Sequence, residues 1–162
     1  MSAVSIDARL VELGITLPDV AAPVAAYQPA VRSGRYVHTA GQLPFVDGAL
    51  PVTGKVGEGD GLVDAEVAAG LARTCALNAL AAVRSVAGTL DGVRIVKVTG
   101  FVASDPSFTG QPSVLNGAST VLGEIFGDAG THARSAVGVA VLPLDAPVEV
   151  EILAELPAEL PA

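Results

Sequence analysis

The chain has 162 residues with 17 Asp and Glu against 9 Lys and Arg, a formal net charge of −8, which argues against docking on nucleic acid by phosphate neutralisation, since that needs clustered Lys and Arg. Apolar residues make up 51% of it and the mean hydropathy is +0.56, yet no run reaches the ~18 apolar residues of a membrane helix and the start lacks the basic-then-apolar pattern of a signal peptide. No membrane contact is therefore expected, and the surplus of Ala and Val points to a subunit interface. The length suits one domain, 1–162, with residues 1–23 as an N-terminal extension. With one Cys there is no intramolecular disulfide, which fits a reducing compartment and predicts a cytoplasmic protein.

Ser5 can cap a short helix carrying Ile6, Leu10, Val11 and Leu13, ended by Gly14. A Pro-punctuated segment, Leu17 to Pro23, follows. Next comes a predicted hairpin of Ala25–Val31 and Arg35–Gly41 turned at Ser33-Gly34, with Tyr27 in its first strand. The second strand closes on Thr39-Ala40-Gly41-Gln42, where a glycine permits close approach of a neighbour or ligand. Asp47-Gly48 between two apolar pairs is a tight-turn signal. The glycine-rich stretch 53–61 is not a P-loop, because Lys55 follows a single glycine and no Ser or Thr follows the lysine.

From Asp64 to Ala87 the pattern is helical, with Val67, Leu71, Cys75, Ala79 and Val86 in one stripe and Ala68, Ala72, Ala76, Leu80 and Val83 beside it. Gly88 is the predicted terminator, and Cys75 is read as a small core residue. Val93–Ser104 is a β-rich run ended by Asp105-Pro106. A second helix follows, with Pro112 in its first turn, Val114, Ala118, Val121 and Ile125 at helical spacing, and Gly127 closing it. The segment His132–Leu156 then reads as two strands joined at Pro143–Pro147. Ser135, Val137, Val139 and Val141 would form a core face, with Arg134, Ala136, Gly138 and Ala140 opposite; in the second strand Val148, Val150 and Ile152 would oppose Glu149, Glu151 and Glu155.

Two amphipathic helices among these strands predict an α+β fold, a mixed sheet with both helices on one face. The small-residue face around Arg134 cannot build a core alone, so symmetric association over it is expected. On spacing alone, Arg134 is an anion site, a surface charge or the partner of a glutamate across the hairpin.

The segment A-R-S-A-V-G-V-A-V-L-P-L-D-A-P-V-E-V-E-I resembles the C-terminal signature of the RidA/YjgF family of reactive-intermediate (enamine/imine) deaminases. Tyr27, R-Y-V-H-T-A-G-Q-L-P at 35–44, Asn78, F-V-A-S-D at 101–105 and Asn116 fall in that family's order, so the resemblance spans roughly 24–156. It implies a chorismate-mutase-like α+β fold assembled as a trimeric barrel, with three clefts between subunits. It also implies hydrolytic deamination of 2-imino or 2-enamino acids, such as those left when pyridoxal-phosphate enzymes eliminate water from serine or threonine, to 2-keto acids and ammonia. In that pattern Arg134 binds the substrate carboxylate and Glu149 orients the attacking water, while Tyr27, Ala40, Gly41, Asn116 and Ala136 line the pocket. A planar guanidinium suits the first task because it holds a carboxylate by two parallel hydrogen bonds.

Ala136 stands where many members carry cysteine, Gly138 where many carry an acid, and Ala40 where serine is usual. The N-terminal helix and the 51–61 loop look longer than in shorter members. His132 and His38 have no role in the family pattern and are read as solvated and structural. No metal or organic cofactor is implied, since two histidines and one cysteine give no ligand spacing. The alternative reading is a non-enzymatic homotrimer that binds small carboxylates as a sensor or holdase. Endoribonuclease activity is a third reading, which the net charge opposes.

Overall fold

The computed structural model describes residues 5–20 and 26–158. Its elements in chain order are α1 (Ile6–Glu12), β1 (Ala30–Ser33), β2 (Tyr36–Thr39), α2 (Ala65–Ala87), β3 (Arg94–Ala103), α3 (Gln111–Phe126), β4 (Ala133–Val139) and β5 (Val148–Glu155). The five strands form one mixed sheet in the order β1-β2-β5-β3-β4, with β3 and β4 parallel and the other pairs antiparallel. The α+β class expected from the helix and strand patterns is the class observed.

The first two helices open on side-chain caps visible in the chain. The Ser5 hydroxyl accepts from Ala8 N–H at 3.2 Å to open α1, and Asp64 accepts from Glu66 N–H at 2.8 Å to open α2. Gly88, at φ 81°, ends α2 where a side chain would be strained. On composition α2 is long and apolar enough to cross a membrane. Its apolarity goes instead into a wide buried arc that includes Leu71, Cys75, Leu80, Ala81, Ala82 and Val83, against β5 and α3. Val67, expected in that stripe, is 47% exposed at the helix start. The two long helices cross closely: a Cβ on Gly117 would fall on the Ala69 backbone carbonyl.

The hairpin of β1 and β2 is shorter than predicted. Pairing begins at Ala30, because Pro29 has no N–H to give a ladder, and the turn is Gly34-Arg35 rather than Ser33-Gly34. Tyr27 therefore lies in a bend ahead of β1, not within a strand, and Ala25 falls outside the described residues. Asp47-Gly48 does form a tight turn, with φ of 50° and 80° between Val46 and Ala49. The glycine-rich stretch is knitted to its neighbours: Gly54, Val56 and Gly57 N–H groups donate to the carbonyls of Asp145, Ala103 and Val63.

The predicted C-terminal hairpin does not form. β3 lies between β4 and β5, pairing with β4 on one edge and β5 on the other. A ten-residue β-rich strand offers two rows of backbone groups, and both are filled when the chain crosses it after β4 rather than folding back. The faces of β4 are also the reverse of expectation. Val98, Gly100 and Val102 of β3 are buried under the helices, and their partners on β4 are Arg134, Ala136 and Gly138. These small residues face α3, leaving space for Gln111 (against Gly138) and for the arginine itself. The valines look the other way, with Val137 44% exposed and Val141, beyond the strand, 69% exposed. On β5 the alternation is as expected, with Val148, Val150, Ile152 and Ala154 buried and the three glutamates opposite. The face without helices therefore carries Val137, Phe101, Glu149, Thr99 and Glu151, and any association over an open sheet face moves there from the Arg134 side.

Candidate functional site

Arg134 projects from the start of β4 toward α3. Its Nη1 donates to Asn116 Oδ1 at 2.9 Å and to Ser119 Oγ at 3.1 Å. Those two acceptors use both protons of Nη1, and no described residue accepts from Nε or Nη2. The edge left open is the Nε–Nη2 fork, the side that binds a carboxylate by two parallel bonds. No described glutamate or aspartate pairs with Arg134, so a cross-strand ion pair is not its role. It lines a concavity of about 340 Å3 with Ser119, Gly123, Gly130, Thr131 and His132. Asn116 is exposed and Ala136 is half-buried on the same face of β4, packed against the core.

His132 is half-buried and bonded at both ring nitrogens rather than free in solvent. Its Nδ1 lies 2.6 Å from Gly130 O and its Nε2 3.0 Å from Ser119 Oγ. Neither His132 nor Ser119 was singled out by sequence reasoning as part of this group. The signal available was spacing: Ser119 is three residues from Asn116 on α3, hence on the same helical face, and His132 is two residues from Arg134 along an extended chain.

Glu149 belongs to a second group. It pairs with Phe101 on the helix-free face, and its carboxylate lies where a Cβ on Gly41 would stand. Gly41 is required there, since any side chain would displace the carboxylate. Gln42 exchanges backbone hydrogen bonds with Val150 at 2.8 and 3.0 Å, fixing Ala40-Gly41 beside β5. Ala40 N–H donates to Pro29 O at 2.8 Å, which places Tyr27, 50% exposed, at the same end of the β1–β2 pair. Gly41 N–H donates to no described residue. Burial pushes the Glu149 carboxyl up from its ordinary range, and the Glu151 carboxylate adds to the shift. Cys75, fully buried beneath β5 with its Sγ 3.7 Å from Val148 O, is held as a thiol by burial first and by Glu149 second. It packs as core and is no nucleophile. His38 is exposed on the helix-free face.

The structure thus brings Arg134, Asn116 and Ala136 together, and separately Gly41 and Glu149 with Ala40 beside them, while Tyr27 lies at the same end of the β1–β2 pair. The two groups lie on opposite faces of the sheet, two strands and three residues apart in register, which is about 14 Å between their Cα atoms at ordinary strand spacings. Among the described residues no group of three His, Cys, Asp or Glu could hold a metal ion.

A family model described as "YjgF/chorismate_mutase-like, putative endoribonuclease" matches residues 7–156. The chain belongs to the YjgF/Rid family. Protein TCP17 of Trypanosoma cruzi is 46% identical over 151 residues, 92% of each chain. The crystal structure of Atu1372 from Agrobacterium tumefaciens, a protein of unknown function, superposes with a TM-score of 0.84 at 43% identity, over 94% of this chain and 92% of that one. That of Escherichia coli TdcF with bound serine superposes with a TM-score of 0.63 at 26% identity, over 88% of this chain and 96% of that one. Membership of the YjgF/Rid family accounts for the mixed sheet and its helices, and the chorismate-mutase-like architecture is that of its neighbours.

Proposed function

We propose that this YjgF/Rid protein hydrolyses reactive 2-imino or 2-enamino acids to 2-keto acids and ammonia, in clefts completed between copies of the chain. The observation that carries the reading is the Arg134 guanidinium, fixed through Nη1 by Asn116 and Ser119 with its Nε–Nη2 fork open. A fork held in this way anchors an α-carboxylate in one orientation, and orientation is what sets the imine carbon in line for water. The serine bound by TdcF, a relative of the same fold, carries such a carboxylate.

Glu149 supplies the complementary group. A carboxyl raised toward neutrality is a better base than an ordinary one. In the proposed reaction the oxygen of water bonds to the imine carbon while Glu149 takes a proton from that water. Glu149 returns that proton to the nitrogen, then relays the hydroxyl proton of the adduct to the same nitrogen, so that the carbon–nitrogen bond breaks and ammonia leaves as the carbonyl forms. The free Gly41 N–H stands beside Glu149, where it can donate to the developing oxygen.

Within one chain, about 14 Å and the sheet itself separate the two groups, too far for one small imino acid. The reading therefore requires a second copy to bring its Tyr27, Gly41 and Glu149 to Arg134 around the β4 edge of the sheet, in a homotrimer. The endoribonuclease reading is disfavoured by a net charge of −8, which repels a polyanion.

The test is subunit exchange. Arg134→Ala and Glu149→Gln proteins are each expected to be inactive in coupled release of ammonia and keto acid from an imine generated in situ. Mixed and allowed to exchange, they should regain a fraction of wild-type turnover, because some clefts then pair an intact Arg134 with an intact Glu149. A mixture as dead as its parts, with exchange verified by mass spectrometry, would refute the shared cleft.

A further inference from the structure

We infer that His132 is a positioning residue for carboxylate binding, acting on Arg134 through the Ser119 hydroxyl; the inference rests on the reading of Arg134 as the carboxylate anchor. With the His132 imidazole neutral, the direction of each hydrogen bond in the chain of contacts follows from its partners. Gly130 O can only accept, so the His132 Nδ1 at 2.6 Å carries a proton and donates. Neutral imidazole has one N–H, so Nε2 accepts, and Ser119 Oγ at 3.0 Å donates to it. That leaves the Ser119 lone pairs for Arg134, whose Nη1 donates to Oγ at 3.1 Å.

A serine hydroxyl on its own rotates among several acceptors. Here the imidazole takes its proton and turns its lone pairs toward the guanidinium. Gly130, which anchors the imidazole, is itself held close to α3, since a Cβ there would strike the Leu122 carbonyl. The turn Gly127–Gly130 thus clamps His132 onto the helix that carries both Ser119 and Asn116. With Asn116 Oδ1 and Ser119 Oγ both occupied by Nη1, the plane of the guanidinium is set and its Nε–Nη2 edge has no partner among the described residues. Without the imidazole, Ser119 competes for the same acceptor, Asn116, or turns to water, and the plane is released.

The experiment is calorimetric titration of the full-length protein with 2-oxobutanoate, a probe that carries the proposed product's carboxylate, alongside melting temperatures. Arg134→Ala is expected to abolish binding. Ser119→Ala and His132→Phe should each weaken it about tenfold, the worth of one hydrogen bond to a charged group. The double variant should be no weaker than either single, because both break the same chain of contacts. His132→Gln, which places an amide oxygen where Nε2 stands, should recover most of the affinity. If Arg134→Ala binds the probe as wild type does, the anchor reading falls and the inference falls with it. If Arg134→Ala fails while His132→Phe binds normally, only the relay is refuted. Losses that multiply to about a hundredfold in the double variant would mean that the two residues act independently. A lower melting temperature at unchanged affinity would make His132 structural.

Discussion

Arg134→Lys separates a positioned fork from a mere positive charge. In the wild type Nη1 serves Asn116 and Ser119 while Nε and Nη2 remain for the substrate. Lysine has three protons on one nitrogen; two meet the same acceptors and one is left for a carboxylate, pointing from a single centre. One of two charge-assisted bonds is then lost, worth about 2 kcal/mol, or about 30-fold in affinity. Freedom of the carboxylate to swing about the remaining bond lowers the chemical step further, so kcat/KM should fall by about 100-fold. Stability should hardly change, because Asn116 is exposed, Arg134 is half-buried, and the core behind β4 rests on Val98, Val102 and Leu115. The assay is ammonia and keto-acid release from an imine made in situ, with melting temperature measured on the same samples. A lysine variant within threefold of wild type would refute the orienting role. Failure to assemble, with a matching fall in melting temperature, would make Arg134 an interface residue.

Two further tests address the other group and the scaffold. The raised Glu149 carboxyl must ionise to act as a base, so kcat/KM should climb with pH through a value above the ordinary glutamate range. Stability has the opposite sign: the fold favours the protonated form, so stability declines as pH rises above the unfolded value, and Glu149→Gln should raise the melting temperature at pH 7 with the gain fading at low pH. An unchanged melting temperature at both pH values would show that the carboxylate is not desolvated. Gly117→Val should cost about 3 kcal/mol, since its side chain would meet the Ala69 carbonyl where α2 and α3 cross, and a smaller loss in urea unfolding would mean that the helices part easily.

Elements whose boundaries are chemical were legible in the chain: Ser5, Asp64, Gly88 and Gly127 bound the helices where expected. The alternation of β5 was legible too, because one of its faces is buried and the other half-exposed. What misled was β4. Sequential strands joined by a proline-bounded turn look like a hairpin, and period-two alternation cannot say which of two faces meets a helix. The pairing is decided by the demand of β3 for partners on both edges, a contact between segments that no local pattern carries. The sequence leaves His132 looking solvated because its partner Ser119 is thirteen residues away, on a helix whose docking no local pattern discloses.

The reversal on β4 changes what its small residues mean. Read as an open face, Ala136 and Gly138 are gaps awaiting another subunit. Read as the face under α3, they are clearance: Gln111 fills the space of a side chain at Gly138, and the arginine runs between strand and helix to reach Asn116 and Ser119. A bulky residue at 136 would lift α3 away and take both acceptors from Nη1. Glu149, one strand beyond β3, is then forced to the other face by the same alternation that buries Val148 and Val150. A single sheet with its helices on one side can hold a carboxylate beneath them and a base on the bare side, but cannot bring the two to one small molecule. The proposed chemistry therefore requires a second copy that sets its bare side at the β4 edge, where Arg134 lies, a requirement independent of the Ala and Val surplus that first suggested association.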